Sequence, residues 1–173
     1  MSENIEFKAR VPDYEEMKSA VQRITQARPS LLEQKDVYYK VKKGRAKLRT
    51  VNLGRHELII YRRNDIAGPK SSKYIRIRIR HYKLVNGIMS SLFGVRGVVR
   101  KQRTLFLKSN VRFHLDRVEG LGDFMEIEYI VAPLEDKEKA KKEVDQLLQA
   151  LHIREDMLIT HSYIDLLTDQ AKA

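Results

Sequence analysis

Between Val111 and Tyr129 the chain reads VRFHLDRVEGLGDFMEIEY, alternating apolar and polar residues around a glycine-containing turn. That period belongs to two β-strands, and it puts Asp116 on the polar face of one and Glu126 with Glu128 on the polar face of the other. Carboxylates that converge in this way look like a metal site. Like charges a few ångströms apart repel and raise one another's pKa, so Glu6, Asp116, Glu126 and Glu128 could share a face only with compensation, which a divalent cation supplies. Oxygen ligands without cysteine and without paired histidines favour Mg²⁺ or Mn²⁺ over zinc.

Basic residues recur with the same period. Arg45, Lys47 and Arg49 share one face of a short strand pattern, Arg76 and Arg78 lie on the charged face of an IRIRIR run, and Lys101 and Arg103 share a third. Arginine offers paired N–H donors that match phosphate oxygens, so the set reads as a clamp for a polyphosphate bound with the metal. For any one of these residues a solvated strand face is the commoner explanation. An ordinary exposed face mixes Ser, Thr, Lys and Glu, however, whereas here cations gather on some strands and carboxylates on others. His114, on the face of Arg112 and Asp116, could reach a phosphate, although a lone histidine is more often a surface residue. Gly120 and Gly122 read as a hairpin turn, since neither GxxxxGK(S/T) nor GxGxxG at a strand-to-helix junction accompanies them. A GxSxG elbow and a kinase signature are also missing.

Composition bounds the partners. The 173 residues carry a net charge of +11 and are 42% hydrophobic, which favours a globular chain, one domain spanning 1–173, and a polyanionic partner. With no cysteine, disulfides, thiolate zinc sites and cysteine nucleophiles are excluded. No apolar run approaches the length a bilayer requires, and MSENIEFKARV enters a polar strand directly. A cytoplasmic protein is therefore expected, with a nuclear one left open and no membrane partner.

Positioning these groups falls to a series of strands. Residues 4 to 11 alternate, with Asn4, Glu6, Lys8 and Arg10 on one face and Ile5, Phe7, Ala9 and Val11 on the other. Pro12 and Asp13 open a helix whose apolar stripe, Met17, Ala20, Val21 and Ile24, ends near Arg28-Pro29. Strands follow at Gln34 to Tyr39, Arg45 to Val51 and Leu58 to Arg63, the last closed by the turn residues Asn64, Asp65, Gly68 and Pro69. Leu58 to Arg63 lacks alternation, which leaves open whether Arg62 or Arg63 points inward. Tyr74 to Tyr82 alternates most sharply and is expected to bury Ile75, Ile77 and Ile79 while charging the opposite face. Lys83 to Phe93 has helical spacing, with Leu84, Val85, Ile88 and Leu92 at core positions and Gly94 as its stop. Further strands run at Val98 to Lys108, Arg112 to Val118 and Phe124 to Val131. After Pro133 comes a charged surface helix with Val144, Leu147, Leu148 and Leu151 inward, and a terminal SYIDLL segment packs back on the body. The order is that of an α+β fold with antiparallel pairing. Strands with one aliphatic and one ionic face can curl into a closed β-barrel, helices outside and a charged, hydrated interior.

The segments NIEFKARV, QKDVYY, GRAKLR, LIIYRRND, SSKY, VRKQRTLFL, VRFHLDRVEGLGDFMEIE and SYIDLL, in this order and spacing, resemble the CYTH superfamily of triphosphate tunnel metalloenzymes, and within it the class IV adenylate cyclase-like branch. The resemblance implies an eight-stranded antiparallel barrel whose lumen holds a triphosphate and a divalent metal. It implies that Glu6, Asp116, Glu126 and Glu128 bind metal, and that Lys8 is the lysine of an amino-terminal ExExK signature, with Lys8 and Glu6 as the expected catalytic pair. Lys47, Arg49, Arg62, Lys101 and Arg103 are implied triphosphate contacts, and Arg10, Arg45, Arg76, Arg78 and His114 are expected beside them. Two positions depart from the family pattern. Asn4 stands where the signature has its first glutamate, and Glu3 points to the opposite face, so position 4 can offer a metal only a neutral carbonyl oxygen. The IRIRIR run adds positive charge, suiting a longer polyanion such as an RNA end or polyphosphate, or an outward patch for a polyanionic partner.

The expected activity is metal-dependent conversion of a nucleoside triphosphate, ATP to cyclic AMP and pyrophosphate. A triphosphatase acting on a nucleotide, thiamine triphosphate, tripolyphosphate or an RNA 5′ end is the alternative within the family. A binding module for nucleotides, polyphosphate or RNA ends, without turnover, is favoured by Asn4 and opposed by the remaining acids. No recognition helix, zinc-finger pattern or RNP motif supports a general nucleic-acid-binding protein.

Overall fold

The structure, a computed structural model, describes residues 2–63, 66, 68–132 and 135–171. Asn64 and Asp65, expected in a turn, and Pro133, expected before a helix, lie outside the described residues. Eight strands form the body: β1 (Ser2–Arg10), β2 (Ser30–Tyr39), β3 (Arg45–Val51), β4 (Arg55–Arg63), β5 (Lys70–Ile79), β6 (Val95–Lys108), β7 (Val111–Val118) and β8 (Gly122–Ile130). They close into a barrel in the order β1-β5-β4-β3-β2-β6-β7-β8, with every pairing antiparallel. Closure satisfies the strand edges without a partner. Four helices complete the α+β fold: α1 (Tyr14–Thr25), α2 (Tyr82–Phe93), α3 (Lys137–Ala150) and α4 (Tyr163–Gln170). None of the described helices is long and apolar enough to cross a membrane.

The two-residue period of the strands sorts their side chains. Ile5, Phe7, Ala9, Phe113, Leu115, Met125 and Ile127 face outward and are covered by Met17 and Val21 of α1 and by Ala140 and Val144 of α3. This is the main core, and it lies outside the barrel. The start of α1 is fixed by Asp13, whose carboxylate accepts the Glu16 N–H at 2.9 Å, a cap worth about 1 kcal/mol.

Two expectations about apolar faces are corrected. The Ile75 and Ile77 face of β5 is not buried, each residue being 47% exposed, because no helix covers that part of the wall. In α2, Val85 is covered together with Tyr82 and Met89, against Val37, Tyr39 and Leu48. Leu84, Ile88 and Leu92 occupy another stripe and stay exposed. A narrow seating of α2 on the outer face of β2 and β3 explains the difference: the apolar residues at i, i+3 and i+7 reach the barrel, and Asn86 beside them accepts the Tyr39 hydroxyl at 2.9 Å.

The SYIDLL segment does more than pack on the body. It forms α4, whose Tyr163 and Ile164 join Tyr38, Val99, Val118, Leu121 and Phe124 in a second cluster at one end of the barrel. Ile164 sits so close to β6 that a Cβ on Gly97 would lie 2.6 Å from its Cδ1, which is why a glycine stands there. A capping box between Ser162 and Asp165 starts the helix, and Asp165 also accepts Arg45 at 2.9 Å and Arg96 at 2.6 Å. That end is thereby closed by an apolar plug with an ionic latch.

Candidate functional site

The opposite faces of the strands point into the lumen. There β1 contributes Asn4, Glu6 and Lys8, β3 Lys47 and Arg49, β5 Ser72, Tyr74 and Arg76, β6 Lys101 and Arg103, and β8 Glu126 and Glu128, all lining one cavity. Tyr38, Ile59, Tyr61 and Tyr163 add an apolar and aromatic part of the wall.

Beneath the lining, two fully buried aspartates hold the cations in place. Asp116 accepts both Nε and Nη2 of Arg103, at 2.6 and 2.7 Å, together with Lys101 Nζ and the Tyr163 hydroxyl, each at 2.9 Å. Asp36 repeats the arrangement with Arg49 at 2.7 Å through two nitrogens and Lys47 at 2.9 Å. Burial would raise both carboxyls, but Arg103 with Lys101, and Arg49 with Lys47, outweigh it and hold them well below the usual carboxylate range. Burial and the neighbouring Arg103 push Lys101 down to about 7. Lys8 Nζ donates to Glu126 at 3.1 Å and lies 3.8 Å over the Tyr163 ring, a cation–π contact that fixes it at the plug.

His114 is buried, not at the surface. With Glu126 and Glu128 it forms a group whose candidate ligand atoms lie within 4.8 Å of one another. Burial and Arg103 lower its pKa, so the ring is neutral at neutral pH, and its Nδ1 is 3.5 Å from Glu126 and 3.9 Å from Glu128, beyond good hydrogen-bond range. That Nδ1 and the Asn4 Oδ1 are buried atoms without a hydrogen-bond partner. An orphaned ring nitrogen beside two carboxylates fits a cation. The imidazole nitrogen admits a first-row transition ion, and the carboxylate oxygens alone suit Mg²⁺ or Mn²⁺.

Not every expected residue reaches the cavity. Arg10 is exposed at the plugged end, where it lies over the Phe124 ring and donates to the Leu121 carbonyl at 3.2 Å. Arg45 is drawn to Asp165 of α4. Arg62 is on the outer face, because β4 turns Ile59 and Tyr61 inward; the side chain of Arg63 is outside the description. Arg78 is exposed, opposite Glu57 towards the unplugged end. Asp116 spends its oxygens on Arg103, Lys101 and Tyr163 instead of facing the cavity. Sequence reasoning missed Asp36, Ser72 and Tyr163. Of these, Asp36 was legible: in QKDVYY it shares a face with Gln34 and Tyr38, and strand pairing sets it beside Arg49.

The CYTH domain profile matches residues 2–163. A Methanocaldococcus jannaschii protein named as a putative adenylate cyclase is 32% identical over 99 residues, which are 56% of this chain and 56% of that protein. The match thus spans about half the length of that relative. Among solved structures, a Pyrococcus horikoshii OT3 protein superposes with a TM-score of 0.83 at 27% identity, covering 94% of this chain and 98% of the other. A Hippeastrum protein, described as a putative adenylyl cyclase with a dominant triphosphatase activity, shares the fold at a TM-score of 0.70 and 13% identity, covering 98% and 96%.

Proposed function

The chain belongs to the CYTH domain family, and from that premise we propose that it is a divalent-metal-dependent enzyme that binds a nucleoside triphosphate in the lumen and converts ATP to cyclic AMP and pyrophosphate. One observation carries the reading: Lys8, Lys47, Arg49, Arg76, Lys101 and Arg103 share a cavity with Glu6, Glu126 and Glu128. The cations hold the phosphate chain through charge-assisted hydrogen bonds, and the two buried aspartates keep the guanidinium groups oriented before substrate arrives. The aromatic wall of Tyr61 and Tyr74 offers a surface for a base or sugar. His114, Glu126, Glu128 and the carbonyl of Asn4 would hold the metal, which would neutralise charge on the phosphates when bound.

In the cyclase reaction the ribose 3′ oxygen bonds to the α-phosphorus, the bond from that phosphorus to the bridging oxygen of the β-phosphate breaks, and pyrophosphate departs with the electron pair. Glu6 accepts the hydroxyl proton, and Lys8 stabilises charge on the departing oxygen. Asn4 favours a second reading. With a carboxamide where the signature has a carboxylate, attack by water on the terminal phosphorus, as in a triphosphatase, demands less of the metal site than closing a cyclic phosphodiester.

Incubation with ATP, GTP, tripolyphosphate and 5′-triphosphate RNA in Mg²⁺ or Mn²⁺, with chromatography of products, separates the readings. Cyclic nucleotide with pyrophosphate is the expected result. Orthophosphate alone would establish the triphosphatase, and binding of these anions with no turnover would overturn both.

A further inference from the structure

A helix that is apolar all round belongs in an interior. In α2, Lys83 is the one ionisable side chain apart from Tyr82, and both its stripes are apolar, yet only the one bearing Val85 and Met89 meets the barrel. The other, Leu84, Ile88 and Leu92, is 49% to 71% exposed, and it lies beside a shallow groove at Gly87 and Ser91. A glycine in mid-helix destabilises it, and in the isolated chain Gly87 gives nothing back, since an added Cβ there would meet no atom within 4 Å.

The apolar surface continues on both sides of the helix. Strand register places Val98 beside Val37, and Val95 beside Tyr39, on the wall that α2 covers. On the far side Ile60 pairs with Ile75 and Leu58 with Ile77. With the exposed parts of these valines and isoleucines and of Phe93 added to the helix stripe, the patch is on the order of 800 Å². That exceeds the ~300–600 Å² of the largest patch on a typical monomer and matches the ~800 Å² per partner of a standard interface.

We infer that this face is a self-association surface, on which a second copy of the chain packs its own α2 across this one about a two-fold axis. Area selects that occupant: the patch matches what each partner of a standard interface buries, and with a net charge of +11 two copies can meet only where the surface is uncharged. An anionic membrane would be met instead by a helix with lysines and arginines flanking its apolar stripe, and α2 supplies one lysine. The Gly87 and Ser91 groove beside the Leu84, Ile88 and Leu92 ridge is self-complementary, as an interface with two-fold symmetry requires.

Sedimentation equilibrium of the full chain tests the inference. The wild type is expected to be a dimer at micromolar concentration. Leu92→Glu and Gly87→Leu should each raise the dissociation constant at least ~30-fold, the loss expected at a hot spot. Gly87→Leu adds volume where the isolated chain has open space, so its thermal melt at high dilution should be no lower than that of the wild type. Leu53→Glu, at the β3–β4 turn, should leave the dimer intact. A monomeric wild type, a dimer indifferent to both α2 substitutions, or a monomer that binds phosphatidylserine vesicles through Leu92 would each overturn the inference.

Discussion

Asp116→Asn is the most informative single perturbation of the lumen. The carboxylate is fully buried, with two contacts to Arg103 at 2.6 and 2.7 Å and one each to Lys101 and Tyr163 at 2.9 Å. Removing one partner of a buried ion pair costs about 3–5 kcal/mol, because the other charge is left uncompensated. Arg103 keeps Glu126 at 3.1 Å, which points to the lower end of that range, about 3 kcal/mol. Against a typical total stability of ~5–15 kcal/mol this is a large fraction. Lys101 makes the loss depend on pH. Its folded pKa is about 7, below the ordinary 10.5, and without Asp116 it falls further. Between the variant's lower value and 7, folded wild type holds a proton on Lys101 that the folded variant has released. The unfolded variant then binds more protons than the folded one, so the variant gains stability as pH rises through that window while the wild type does not. The penalty is therefore greatest in acid and shrinks towards pH 7. Urea unfolding followed by far-ultraviolet circular dichroism at pH 5.5 and 8 measures both effects. Tripolyphosphate should also stabilise the variant more than the wild type, by giving Arg103 and Lys101 a replacement anion. A loss below ~1 kcal/mol at both pH values, with an unchanged urea dependence, would refute the view that Asp116 anchors the clamp.

Tyr163→Phe keeps the ring beneath Lys8 but removes the hydrogen bond to Asp116; it should cost about 1.5–3 kcal/mol in the same urea assay. Glu126→Ala should abolish metal-dependent turnover, whereas Asn4→Glu should raise it and lower the Mn²⁺ concentration for half-maximal rate; both are read from product release. Burial and Arg103 hold His114 below its ordinary 6.5, so the folded state resists protonating it. Stability contributed there is full above 6.5 and is lost as pH falls from 6.5 towards the lowered value. His114→Gln should flatten the thermal melting temperature against pH in that window.

The barrel was legible because most of its strands keep aliphatic residues on one face and ionic residues on the other, as NIEFKARV and VRFHLDRV do. Where that contrast fails, so does inference. In LIIYRR the lumen side carries Ile59 and Tyr61 and the outer side Leu58 and Ile60, so hydropathy cannot distinguish the faces, and Arg62 lands outside. The role of Tyr163 was hidden for another reason: its contacts to Lys8 and Asp116 join residues far apart in the sequence, and no local period encodes them. The helix Tyr82–Phe93 misled because its two apolar stripes have equivalent spacing, and sequence does not say which one meets the barrel.

With α4 packed across one end of the barrel, the lumen of the described residues is a well entered from the other end. A polyanion cannot be threaded through it, so a long chain could be processed only from its tip. A triphosphate entering phosphates first would put its nucleoside nearest the doorway and its phosphates towards Lys8 and the plug. Products would then leave in a fixed sequence, the cyclic nucleotide before the pyrophosphate trapped behind it. Pyrophosphate should accordingly compete with ATP for the empty enzyme, and cyclic AMP should not.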